Sequence, residues 1–100
     1  MFNRIVIAAA AVMLTAPFAM AGPIDSACIR SDRAGGNRSL CGCIQQVADQ
    51  TLSRSDQRRA AGFFRDPHKA QEARTSSSNR DSAFWSRYTN FANTAAAYCR

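Results

Sequence analysis

Hydrophobic positions along this chain recur at helical intervals and nowhere alternate with period two, which predicts helices and no sheet. From Leu40 to Leu52 the stripe is Leu40, Ile44, Val47, Ala48 and Thr51, with Ser39 placed to cap the start. A second segment runs from a cap at Ser53 or Ser55 to Arg65. Ala60, Phe63 and Phe64 occupy one side of it and Arg54, Arg58 and Arg65 the other, so it is amphipathic. Asp66-Pro67 is a restart signal: the carboxylate accepts from first-turn amides, and proline sits where its missing donor costs nothing. The helix that follows, to about Arg74, is short and polar, and Thr75 to Asn79 reads as a loop. A last helix starts near Asp81 or Ser82. Its face is Phe84, Tyr88, Phe91, Ala92, Ala95 and Cys99, flanked by Trp85. Residues 22–38 read as an irregular arm with a turn at Gly35-Gly36-Asn37. The expected fold is all-α, a small disulfide-stapled bundle of three to four short helices forming a single domain over residues 22–100.

The first 21 residues have a different pattern. Arg4 supplies a positive charge, Ile5 to Leu14 is an unbroken apolar run, Pro17 ends it, and Ala19-Met20-Ala21 places small residues at a cleavage site. The run is too short for a bilayer span, which needs roughly 20 apolar residues. Residues 1–21 are therefore expected to be a cleavable signal peptide, leaving Gly22 as the new N-terminus and the protein in the periplasm or secreted. Asp25, before Cys28, argues against lipid attachment there.

Cleavage leaves 79 residues, a length whose modest core often needs covalent or metal help. Twelve basic residues against seven acidic ones give the mature chain a charge of +5, and all the basic residues except Lys69 are arginine. Guanidinium makes forked contacts to carboxylate and phosphate, and the net charge favours anionic neighbours. Arg54, Arg58, Arg59 and Arg65 are the candidate anion-binding residues, for an acidic protein, a lipid head group or a glycan. Arg87 between Trp85 and Tyr88 also resembles a nucleic-acid pattern, but export argues against that partner.

All four cysteines, Cys28, Cys41, Cys43 and Cys99, lie in the mature part. In an oxidising compartment an even set reads as two disulfides. Cys41 and Cys43 fall on opposite borders of their helix's stripe, so one is expected to hold Cys28 and the other Cys99; the sequence does not choose between the two assignments. A direct Cys41–Cys43 bond would close a cramped ring. It is nevertheless the basis of an enzymatic alternative, a thiol–disulfide redox factor using Cys41 and Cys43. Metal binding through these cysteines and His68 is disfavoured, because a single intervening residue is tight for paired zinc ligands.

No catalytic residue, metal site or cofactor is indicated. His68 has no triad around it, no serine occupies a Gly-x-Ser-x-Gly elbow, and Asp66 and Glu72 are not spaced to face each other as a carboxylate pair. Asn37-Arg38-Ser39 matches a glycosylation acceptor.

Ile29 to Arg33, the block Leu40-Cys41-Gly42-Cys43-Ile44-Gln45-Gln46-Val47-Ala48, Leu52 to Ala61, Phe63 to His68, Phe84-Trp85 and Ala95 to Cys99 together carry a resemblance. The chain resembles a family of small exported alphaproteobacterial proteins, chiefly from marine relatives of Rhodobacter, that circulate as uncharacterised proteins or under the label "arginine transporter". A transporter needs membrane-spanning structure, and the mature chain has no apolar run to supply it. The role implied by the label is therefore a soluble accessory to arginine transport.

The chain-entropy model assigns about 3 kcal/mol to a bridge from Cys28 and about 4 kcal/mol to one from Cys99. Together these match the whole stability of a typical small domain. Full reduction is accordingly expected to unfold the protein; circular dichroism melting with all four thiols freed and counted checks this, and an unchanged melting temperature would refute it.

Overall fold

The computed structural model describes residues 22–31 and 36–100. The expected signal peptide, and Gly35 of the expected turn, lie outside the described residues. Five helices are present and no strand among the described residues: α1 (Pro23–Arg30), α2 (Arg38–Thr51), α3 (Arg54–Arg65), α4 (Pro67–Thr75) and α5 (Asn79–Tyr98). No helix among them is long and apolar enough to cross a membrane.

The arm is the main correction to the expected fold: its first part, Pro23–Arg30, is helix α1. Pro23 stands at the first helical position, Asp25 and Arg30 complement the dipole at the two ends, and Ile24, Ala27 and Cys28 are buried. Two caps also move. Asn37 caps α2 in place of Ser39, its Oδ1 accepting from the Leu40 amide at 3.0 Å; the preceding Gly36 has φ +76°, which glycine adopts without strain. Ser78 caps α5, accepting from the Asp81 amide at 3.0 Å, so that helix starts at Asn79. The expected Ser53 and Asp66 caps are present, on the amides of Asp56 and His68.

Ile24, Ala27, Val47, Ala48, Leu52, Ala60, Ala61, Phe91 and Ala95 form the larger core, shared by α1, α2, α3 and the C-terminal half of α5. A smaller core of Phe63, Ala73 and Phe84 joins α3, α4 and the first half of α5. Tyr88 packs against both and meets Phe63 edge-on with ring centroids 5.1 Å apart. The expected α5 face is therefore the buried one, with Phe84, Phe91 and Ala95 fully inside.

The disulfides are Cys28–Cys41 and Cys43–Cys99. The first is buried and fastens α1 to the start of α2; the second is half-buried and fastens α2 to the end of α5.

Two polar side chains, Gln45 and Gln57, are also buried, and they bond to each other: Gln45 Nε2 donates to Gln57 Oε1 at 2.9 Å. Gln45 Oε1 accepts from the Asp25 amide at 2.9 Å, taking the place of an N-cap side chain that Gly22 does not have. Gln57 Nε2 points at the carbonyls of Ala48 and Leu52, both at 3.3 Å, at the C-terminal end of α2. Asp49 Oδ1 accepts from both amides, at 2.8 and 3.2 Å. No buried side-chain polar atom among the described residues lacks a partner.

The borrowed cap also explains Gly22. A Cβ there would fall 2.6 Å from Gln45 Cδ, against a side chain held on three sides. Gly22→Ala is expected to destabilise the fold by about 1–3 kcal/mol through overpacking. Gln45→Ala should cost about 2–3 kcal/mol by leaving buried polar groups unpaired. Once Gln45 is truncated, Gly22→Ala should become close to neutral, and urea denaturation of the two single variants and the double variant measures that coupling.

Candidate functional site

The four arginines of α3 that share one sequence signature have three different surroundings. Arg59 turns toward α5. Its Nη2 lies 2.8 Å from Asp81 Oδ1, and its guanidinium carbon stands 4.2 Å from the centroid of the Phe84 ring. That combination of ion pair and cation–π contact makes Arg59 a tie between helices. A second tie runs the other way: Arg87 of α5 forks onto Asp56 of α3 at 2.6 and 3.2 Å. Because 56 pairs with 87 and 59 with 81, the two helices run antiparallel here. Each acid is also in the first turn of its own helix, where the backbone dipole favours it.

Arg58 and Arg65 remain outward. With Arg30 of α1 they stand around a depression of about 310 Å³ between α1 and α3, whose remaining lining is Pro23, Ser26, Ala27 and Ala61. Among the described residues, no acidic one lines it. None of the three guanidiniums has an ion-pair or side-chain hydrogen-bond partner among the described residues. Arg54 lies on the same face of α3, one turn before Arg58, exposed and outside the depression. Arg59, of the sequence-derived set, is thus engaged between helices, and Arg30, outside that set, joins Arg58 and Arg65 at the depression. Arg30 was missed because its segment reads as an arm; the signal available was Pro23 at a helix start with Ile24, Ala27 and Cys28 at helical spacing.

A larger depression, about 510 Å³, lies near α3, α4 and the start of α5. Arg59, Arg65 and Lys69 line it together with Asp66, Glu72 and Asp81, so its charges balance. Arg59 already holds Asp81, and Asp66 already caps α4. His68 is exposed, 3.5 Å from Glu72 one turn along the same helix, and has no nucleophile to serve.

Cys41 and Cys43 do not pair with each other, because each sulfur is committed to a different helix. A dithiol at these positions therefore has to be made by opening both bridges. Arg87, the basic residue of the nucleic-acid-like pattern, is taken up by Asp56. No group of three or more His, Cys, Asp or Glu among the described residues is placed to hold a metal ion.

Comparison with protein-family models, curated proteins and solved structures found no match.

Two groups in the helix ties have shifted ionisation. The Ser76 side chain first, and then the Arg59 guanidinium, hold the Asp81 carboxyl below its ordinary value of 3.8, while the hydrogen bond to Asp56 raises the Arg87 guanidinium above its ordinary value. The lowered Asp81 value means that the unfolded chain binds a proton there more readily than the folded one. The stabilisation is therefore complete above pH 3.8 and fades as pH falls through the lower folded value. Asp81→Asn is expected to lower stability at neutral pH and to flatten the acid limb of a stability–pH curve, measured by thermal melting between pH 2 and 7.

Proposed function

We propose that this chain is an exported periplasmic or secreted binding module that receives an anionic partner on the α1–α3 face. The supporting observation is the convergence of Arg30, Arg58 and Arg65, from two helices, on one depression with no acidic residue in its lining. Unpaired guanidiniums brought together repel one another, and an anion bridging them relieves that repulsion while making forked hydrogen bonds. The disulfides fit an oxidising compartment, and the mature charge of +5 favours encounter with an anion at long range. No chemical step is assigned to the site, since Ser26, the hydroxyl in the depression's lining, has no base beside it among the lining residues.

A role beside arginine transport would require a pocket with surplus acid. The depression richest in carboxylates carries as many cations as acids, and two of its acids are already engaged. The anionic reading uses groups that have no ion-pair partner among the described residues, which is why it is preferred.

Arg58→Glu with Arg65→Glu is expected to elute from an anionic matrix at clearly lower salt than Arg74→Glu with Arg80→Glu. Both pairs change net charge equally, but the second lies outside the depression. Equal elution of the two variants would refute the site.

A further inference from the structure

We infer that the occupant of the α1–α3 depression is an acidic amphipathic helix of a partner protein, laid along the groove between the two helices. This rests on reading the depression as an anion site and adds the form of the ligand. The groove is bounded by residues seven apart on both of its walls, Pro23 to Arg30 on α1 and Arg58 to Arg65 on α3. At 1.5 Å per residue, each wall is about 10 Å long, two helical turns. That is longer than one phosphate group needs and matches the spacing of two same-face positions on a third helix.

The floor points the same way. Ala27 and Ala61 are buried and small, so a neighbouring backbone can approach closely, and Pro23 extends the apolar strip. Arginine stands on both margins of that strip, Arg30 on α1 and Arg58 and Arg65 on α3. The complementary ligand is a helix with a seam of alanine and leucine, carboxylates at i and i+7 along one edge, and a further carboxylate on the other edge. This is helix-in-groove recognition with charged margins setting the register. A membrane surface is disfavoured because the lining contains no aromatic or bulky apolar side chain to enter the headgroup boundary. A small phosphate ligand is disfavoured because all three guanidiniums, and the Ser26 side chain that shares the lining with them, are exposed.

The test uses the full mature protein and four probes measured by isothermal titration calorimetry. These are a helical peptide with the alanine–leucine seam flanked by glutamates at i and i+7, a peptide of the same composition with the glutamates moved to the opposite face, inorganic pyrophosphate, and vesicles of phosphatidylglycerol and phosphatidylcholine. The seam peptide is expected to bind on the order of tenfold more tightly than the rearranged one, the scale of one or two well-placed charge pairs. Ser26→Trp, an exposed position on the groove wall, should abolish that preference by filling the groove. Equal affinity for the two peptides, or tighter binding of pyrophosphate or vesicles, overturns the helix assignment. If retention still depends on Arg58 and Arg65 in that event, the anion site stands without it; if that dependence is also absent, both readings fall.

Discussion

The bond between the buried amides of Gln45 and Gln57 is the contact on which the arrangement of the first three helices depends. Burying an amide is unfavourable unless its hydrogen-bonding capacity is met. Here the partners that meet it are the parts of helices left unsatisfied by helix geometry: the first-turn amide of Asp25 and the carbonyls of Ala48 and Leu52. One pair of side chains thus satisfies an end of α1 and an end of α2 from within the core. The sequence consequence reaches Gly22, where a side chain has no room because the amide of Gln45 fills the space. A polar network of this kind is stabilising when complete and costly when one member is lost.

The second half of the molecule is organised by different means. α3 and α5 exchange acid and base, Asp56 with Arg87 and Arg59 with Asp81, around the aromatic contacts of Phe63, Phe84 and Tyr88. These exposed ion pairs contribute little stability individually, but they set the direction and register in which the two helices meet. They also sort the arginines. Arg59 and Arg87, with a carboxylate opposite them, act in the fold, while Arg30, Arg58 and Arg65 have no such partner among the described residues.

Much of the fold was legible because it is encoded locally. Ser53, Asp66-Pro67 and the 84–88–91–95 face act within one or two turns of themselves, and their helices form as the pattern implies. α1 was not legible as a helix because eight residues carry only three buried positions, and its cap is supplied by Gln45, twenty residues away from Asp25. The burial of Gln45 and Gln57 was not legible, since no pattern in a single sequence distinguishes a buried, fully bonded glutamine from an exposed one. Arg58 and Arg59 show the same limit at the site. They are adjacent and chemically identical, and what separates them is Asp81, brought up by a helix that starts twenty residues later. The pairing of the cysteines was narrowed to two choices by helix geometry and decided by which border of α2 faces α1.

Cys41 and Cys43, two residues apart, give the chain an unusual covalent topology. Through the two bridges the path from Cys28 to Cys99 passes along only three residues of backbone, Cys41-Gly42-Cys43. Every peptide bond between Cys28 and Cys41, and every one between Cys43 and Cys99, is thus spanned by a second covalent route. A protease that cuts the exposed Ser77–Ser78 bond of the α4–α5 connection leaves both fragments on one molecule, with α5 still tethered beside α2. The three-residue Cys41-Gly42-Cys43 stretch is where this redundancy is interrupted, and there the chain lies inside helix α2, a conformation that proteases cut reluctantly. In an environment rich in hydrolases, such a molecule can be nicked without coming apart.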